Sequence, residues 1–156
     1  MGYLHHILED IVFLGAVSLL AAYQLARFAR KVGNARRKFK VVPPETTGDP
    51  GFVRHFRAQQ NTLEFFPVFL VCLWVSGLFF NQVVAALVGL FYIYAREEYF
   101  NGYAEATEKR LGAFKKSVLA LQVFLVLSLA GIVNTLLASY AGIDIKANIA
   151  KKYLNF

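Results

Sequence analysis

Two separated stretches of the chain carry groups that could hold a small, polyvalent ligand. In R-H-F-R-A-Q-Q-N-T-L-E-F-F-P (Arg54–Pro67), Arg57, Asn61 and Glu64 fall at i, i+4 and i+7, which puts them on one face of a helix. Further on, Arg96, Tyr99, Tyr103 and Arg110 fall at i, i+3, i+7 and i+14, one stripe if a single helix carries all four. Arg36, Arg37 and Lys40 form a third, basic group. If the helices run antiparallel, these groups meet at one level. Together they suit a mainly anionic molecule bearing an amino group. Arginines fork onto carboxylates, Glu64 can hold an ammonium, and Asn61 and Gln59 can read peptide groups. Plainer roles stand beside this one. Arg and Lys at helix ends meet lipid headgroups and Tyr favours the interface, and Glu64 could pair with Arg57 inside a bundle.

The elements that must position these groups belong to a membrane protein. The chain has 156 residues, 57% of them hydrophobic, with mean hydropathy +0.46, too apolar for a soluble domain of one-domain length. The net charge of +7 lies beside apolar runs, so anionic headgroups are the expected partner rather than nucleic acid. The single cysteine, Cys72, excludes an internal disulfide, and the spacing of His5, His6 and His55 gives no metal site.

We expect an all-α, integral-membrane, four-helix bundle, with spans at about 7–28, 53–80, 83–105 and 115–140 and an interfacial tail over 143–156. The first run has an acidic start and a basic finish, unlike a signal peptide. Arg30–Lys40 extends it as an exposed helix, and Val42–Phe52 is a loop. Pro67 should bend the second helix. The third should project out of the bilayer to about Lys109, with a turn at Gly112. Cys72 and Trp74 read as packing residues, Gln24, Gln122 and Asn134 as hydrogen-bonding glue between helices, and His5 and His6 as an exposed terminus. Of the 17 Lys and Arg, nine lie in 27–57 and five in 96–116, which puts the first and third connections, and the polar groups, in the cytosol.

The motifs resemble a known family. R-A-Q-Q-N-x-x-E-F-x-P (Arg57–Pro67), L-W-x-x-G (Leu73–Gly77), G-L-x-Y-I-Y-x-R-x-x-Y-F-x-G-Y (Gly89–Tyr103), the later Arg110 and A-R-R-K-F-K-V-x-P-P (Ala35–Pro44) are similar to those of the membrane-associated proteins in eicosanoid and glutathione metabolism (MAPEG). F-N-Q-V (Phe80–Val83) and N-I-A-K-K (Asn148–Lys152) resemble its glutathione-transferase branch. The resemblance implies a homotrimer in the endoplasmic reticulum or nuclear envelope, binding glutathione between subunits as co-substrate. It implies glutathione contacts at Arg36, Arg57, Gln59, Asn61, Glu64, Phe65, Tyr99, Tyr103 and Arg110, with Arg96 close by. Arg110 matches the thiol-activating arginine, and Arg37 the one that assists the electrophile. Phe65 replaces a tyrosine found in some members. The implied second substrate is a lipophilic electrophile, such as the fatty-acid epoxide leukotriene A4 on its way to leukotriene C4, or a lipid hydroperoxide. The alternative is a non-catalytic, lipid-presenting protein resembling the 5-lipoxygenase-activating member, which lacks an arginine at the position of Arg110.

Overall fold

The computed structural model describes Glu9, residues 11–145 and residues 147–148. Among the described residues four long helices follow one another: α1 (Val12–Lys38), α2 (Pro50–Phe79), α3 (Gln82–Glu105) and α4 (Arg110–Ala141). Their ends have local causes. Asp49 accepts from the Gly51 amide ahead of α2, and Pro50 opens that helix, where its missing N–H costs nothing. Asn81 accepts from the amides of Val83 and Val84 and so reverses the chain into α3. Gly142 closes α4 at φ 67°, the left-handed conformation that glycine adopts without strain.

The basic extension of the first helix is helical to Lys38, and α2 runs through Pro67 as one element. The α3–α4 reversal differs from expectation. α3 stops at Glu105, Ala106 is extended (φ −152°, ψ 146°), and Gly112 lies inside α4 rather than at the turn. A Cβ at Gly112 would meet nothing within 4 Å, so no close approach needs a glycine there. The tail expected over 143–156 falls largely outside the described residues, as do His5 and His6.

α1 packs on α2 and α3, and α4 packs on α3 and α2, so the α2–α3 pair forms the middle of the bundle. One core cluster joins Leu14, Val17, Phe69, Cys72, Leu73, Tyr92 and Phe124. The other joins Phe28, Phe52, Ala58, Tyr99, Phe100 and Ala113. Phe69 stacks on Tyr92 at 4.4 Å between centroids and Phe28 on Phe100 at 4.2 Å, the contact geometry expected of well-packed rings. Gln24 donates to the Ile93 carbonyl (2.8 Å) and Glu97 (3.2 Å), and Trp74 donates to Ser18 (3.0 Å). Both tie α1 to its neighbours. Among the described residues Gln122 makes no such bond, and it faces outward from α4. Asn134 is buried near the end of α4 and reaches Asp144 at 3.4 Å.

α1, α2 and α4 are each long and apolar enough to cross a membrane. α3 is apolar from Val83 to Ala95 and then turns to R-E-E-Y-F-N-G-Y. Large apolar side chains such as Leu19, Val71, Leu87, Val126 and Leu129 point outward, an arrangement suited to lipid rather than water.

Candidate functional site

At the end of the bundle where α2 begins and α3 finishes, three helices enclose a cleft of about 250 Å³. α2 supplies Arg57, Gln60, Asn61 and Glu64, α3 supplies Tyr99 and Tyr103, and α4 supplies Arg110. The α2 residues arrive together because helical periodicity aligns them.

Arg110 arrives differently from expectation. It does not continue the α3 stripe, because the helix ends at Glu105 and the chain folds back. Arg110 is the first residue of α4. Its Nε donates to the Thr107 carbonyl (3.2 Å), and its guanidinium lies 4.7 Å from the centre of the Tyr103 ring. The stripe and the turn thus converge, and cation–π attraction holds the arginine against its neighbour. Arg57 donates to Gln60 at 3.1 Å. Among the described residues it forms no ion pair with Glu64, so the one carboxylate lining the cleft keeps its acceptor capacity beside two guanidinium groups.

Arg96 is not part of the lining. It is 1% exposed and lies behind the cleft wall. It donates to Asn61 Oδ1 (2.9 Å) and Thr62 Oγ1 (3.0 Å), and its guanidinium lies 4.5 Å from the Tyr99 ring centre and 5.5 Å from that of Phe65. Ser117 of α4 stands at 3.5 Å on its other side. Sequence reasoning missed this bed of Thr62 and Ser117 as it missed Gln60. Thr62 follows Asn61 directly and could have been found, whereas nothing local distinguishes Ser117. By accepting from Arg96, the Asn61 carbonyl oxygen is fixed on the inner side, which leaves its amide as the donor facing the cleft.

Other expected site residues stand apart in a single chain. Gln59 is half-buried and outside the lining, and Phe65 packs edge-on against Phe114 with centroids 6.0 Å apart. Arg36 and Arg37 line a separate cleft with Lys40, Val41, Val42 and Pro43. Arg36 donates to the Glu45 carbonyl (2.6 Å) and lies over the Phe52 ring, while Arg37 donates to Asn34 (2.6 Å). The expectation that all three basic groups meet in one place therefore fails within one chain. The cause is packing: the end of α1 and the start of α4 are held by different sides of the α2–α3 pair.

The cleft can thus receive a compact molecule with two or more anionic groups and one ammonium. Two guanidinium groups line it and a third lies behind it, which biases it strongly toward anions.

Comparison with known proteins agrees with this chemistry. The chain is 49% identical over 145 residues to microsomal glutathione S-transferase 2 of Bos taurus, covering 93% of this chain and 97% of the relative. It is 46% identical to the Homo sapiens protein of the same name, covering 91% and 97%. With leukotriene C4 synthase of Bos taurus the identity is 42%, covering 89% and 90%. The model of the MAPEG family matches residues 12–131, and with its membrane-length helices the chain is a multi-pass membrane protein that belongs to the MAPEG family.

Proposed function

We propose that this protein is a membrane-bound glutathione S-transferase that joins glutathione to lipophilic electrophiles. The observation that carries the proposal is the cleft that brings Arg57, Asn61, Glu64, Tyr99, Tyr103 and Arg110 together in a chain 42% and 49% identical to a leukotriene C4 synthase and a microsomal glutathione S-transferase 2. Glutathione has two carboxylates, one ammonium, two peptide groups and a thiol. Arg57 suits a carboxylate, Glu64 the ammonium, and Asn61 a peptide carbonyl.

The chemical difficulty is the thiol, whose unperturbed pKa near 8.5 leaves roughly 3% thiolate at pH 7. A guanidinium group is not a base near neutral pH, so Arg110 acts through its charge. It stabilises the thiolate as a fixed cation, and each pKa unit of lowering takes about 1.4 kcal/mol. The sulfur then attacks an epoxide carbon, as in leukotriene A4. The C–S bond forms, the C–O bond breaks, and the alkoxide takes a proton. Arg37 assists the departing oxygen. With a lipid hydroperoxide, the thiolate attacks the terminal oxygen and releases an alcohol, and a second glutathione then yields the disulfide and water.

We further propose that the protein works as a homotrimer. In one chain Arg36 and Arg37 line a cleft separate from that of Arg110, so a neighbouring copy would complete the set. The outward-facing Gln122 is also easier to accommodate against a neighbouring copy than against lipid. In this reading α3 is the fourth span, carried at bilayer depth by its packing on all three other helices. The basic connections lie in the cytosol, and the membrane is the endoplasmic reticulum or nuclear envelope.

The deciding experiment measures thiolate absorbance near about 240 nm on adding glutathione to detergent-solubilised protein, together with turnover of a lipophilic electrophile, for wild type and Arg110→Ala. Loss of both signals in the variant is expected. Full turnover by Arg110→Ala would sink the mechanism. A wild-type protein that neither binds nor consumes glutathione would favour the lipid-presenting alternative.

A further inference from the structure

Gly102 stands in the last turn of α3, with a negative φ that any residue could adopt. Its lack of a side chain matters for a different reason. A Cβ built there would lie 2.8 Å from the Lys109 carbonyl oxygen and 3.2 Å from the Lys109 carbonyl carbon. Both are backbone atoms, so neither can swing aside as a flexible side chain would. Lys109 is the residue that precedes Arg110 and caps α4. The α3–α4 turn is therefore folded back onto the bare surface of Gly102, and this close approach sets where α4 begins.

The turn is anchored at several points around that contact. The Ala106 amide donates to the Gly102 carbonyl (2.9 Å), the Lys109 amide to the Ala106 carbonyl (3.2 Å), and the Leu111 amide to the Glu108 carbonyl (3.2 Å). Arg54 of α2 donates to the Ala104 carbonyl (3.2 Å). A shift at Lys109 cannot spread evenly through so constrained a segment. It falls on the next residue, Arg110, whose side chain donates to the Thr107 carbonyl and lies on the face of Tyr103.

We propose that Gly102 is a positioning residue for Arg110: by admitting the Lys109 carbonyl against α3, it places the Arg110 guanidinium on Tyr103 and over the cleft. The inference rests on the reading of Arg110 as the thiol-activating cation. It predicts a selective defect. Arg57, Asn61 and Glu64 are on α2, remote in sequence from the turn, so ligand binding is retained while activation is lost.

The test compares Gly102→Ala with Gly112→Ala, in which the added methyl meets nothing within 4 Å, and carries Gly102→Ala into the Arg110→Ala background. Each protein is assayed for glutathione affinity by calorimetry, thiolate absorbance at saturating glutathione, turnover and thermal midpoint. Gly102→Ala is expected to lower thiolate yield and kcat severalfold, up to about tenfold, the effect of losing about one pKa unit of thiol activation. Glutathione Kd should stay within about threefold. Alanine is the better helix former, which offsets part of the cost of the added methyl, so the thermal midpoint should fall by no more than a few degrees. Gly112→Ala should behave as wild type. In the Arg110→Ala background Gly102→Ala should add nothing further, because residues acting through one another are not additive. Additive losses in the double variant would overturn the proposal, as would wild-type thiolate yield in Gly102→Ala, or equal losses of binding, activity and folding. Those outcomes differ from failure of the functional reading itself, in which Arg110→Ala alone leaves thiolate formation intact.

Discussion

Replacing Arg96 by methionine separates two roles that a buried arginine can play. Arg96 is 1% exposed and donates to Asn61 at 2.9 Å and Thr62 at 3.0 Å. Hydrogen bonds to a charged group contribute about 1.5–3 kcal/mol each, so the pair supplies roughly 3–6 kcal/mol. Against this stands the cost of burying a cation. Among the described residues no carboxylate forms an ion pair with it, and the desolvation penalty is several kcal/mol. Thr62 also donates to the Ala58 carbonyl at 2.9 Å, and Asn61 borders the cleft, where water can reach it. Neither is stranded by the change. The two sides nearly cancel, and Arg96→Met should alter stability by no more than about 2 kcal/mol, a shift of roughly 4–8 °C in thermal midpoint at this size.

Binding should respond more. The guanidinium lies 4.5 Å from the Tyr99 ring centre, and an anion on the far side of that ring stands at about 8 Å once a further van der Waals contact is added. At an effective dielectric of about 20, that attraction is about 2 kcal/mol, or about thirtyfold in Kd. Release of the Asn61 amide adds to the loss. Calorimetry with glutathione and a thermal scan on the same detergent preparation measure both quantities. Arg96→Lys should recover part of the affinity because it restores the charge. A glutathione Kd within threefold of wild type for Arg96→Met, or a fall in midpoint well beyond 10 °C, would refute the reasoning and make Arg96 a purely structural residue.

Other substitutions test other parts of the account. Glu64→Gln should weaken glutathione binding by about tenfold, the loss of about one charge-assisted hydrogen bond, with no change in thermal midpoint because Glu64 forms no ion pair among the described residues. A truncated ligand lacking the amino group should show the same affinity for variant and wild type. Glu97→Gln removes the acceptor shared by Arg27 (2.7 Å) and Lys31 (3.2 Å). These groups are partly solvated, so the expected loss is about 1 kcal/mol, read as a lower midpoint with unchanged turnover per folded molecule. Gly131→Ala places a methyl 2.5 Å from the Phe79 carbonyl carbon, forcing α4 off the end of α2 at a cost of about 1–3 kcal/mol. Gly15→Ala meets nothing within 4 Å and should instead gain up to about 1 kcal/mol from helix propensity. Unfolding scans that rank these two glycines in the opposite order would contradict the packing described above.

What the sequence determined by itself was local or periodic. Apolar runs and their charged flanks mark the helices, although the loop read over Val42–Phe52 overruns the start of α2, which Asp49 caps and Pro50 opens. The shared face of Arg57, Asn61 and Glu64 was legible for the same reason: helical period fixes it whatever the helix packs against. The stripe of Tyr99 and Tyr103 was equally visible, but its extension to Arg110 assumed an unbroken helix. Only the tertiary structure revealed that the chain reverses at Ala106 and returns Arg110 to Tyr103 by resting the Lys109 carbonyl on Gly102. Likewise, periodicity could place Arg96 on the stripe but could not reveal that Thr62 and Ser117 from two other helices draw it behind the wall. Nor could it separate Arg36 and Arg37 from the Arg110 cleft. That separation depends on which sides of the α2–α3 pair hold α1 and α4. Such choices are made by contacts between residues far apart in the chain, and spacing along one helix carries no information about them.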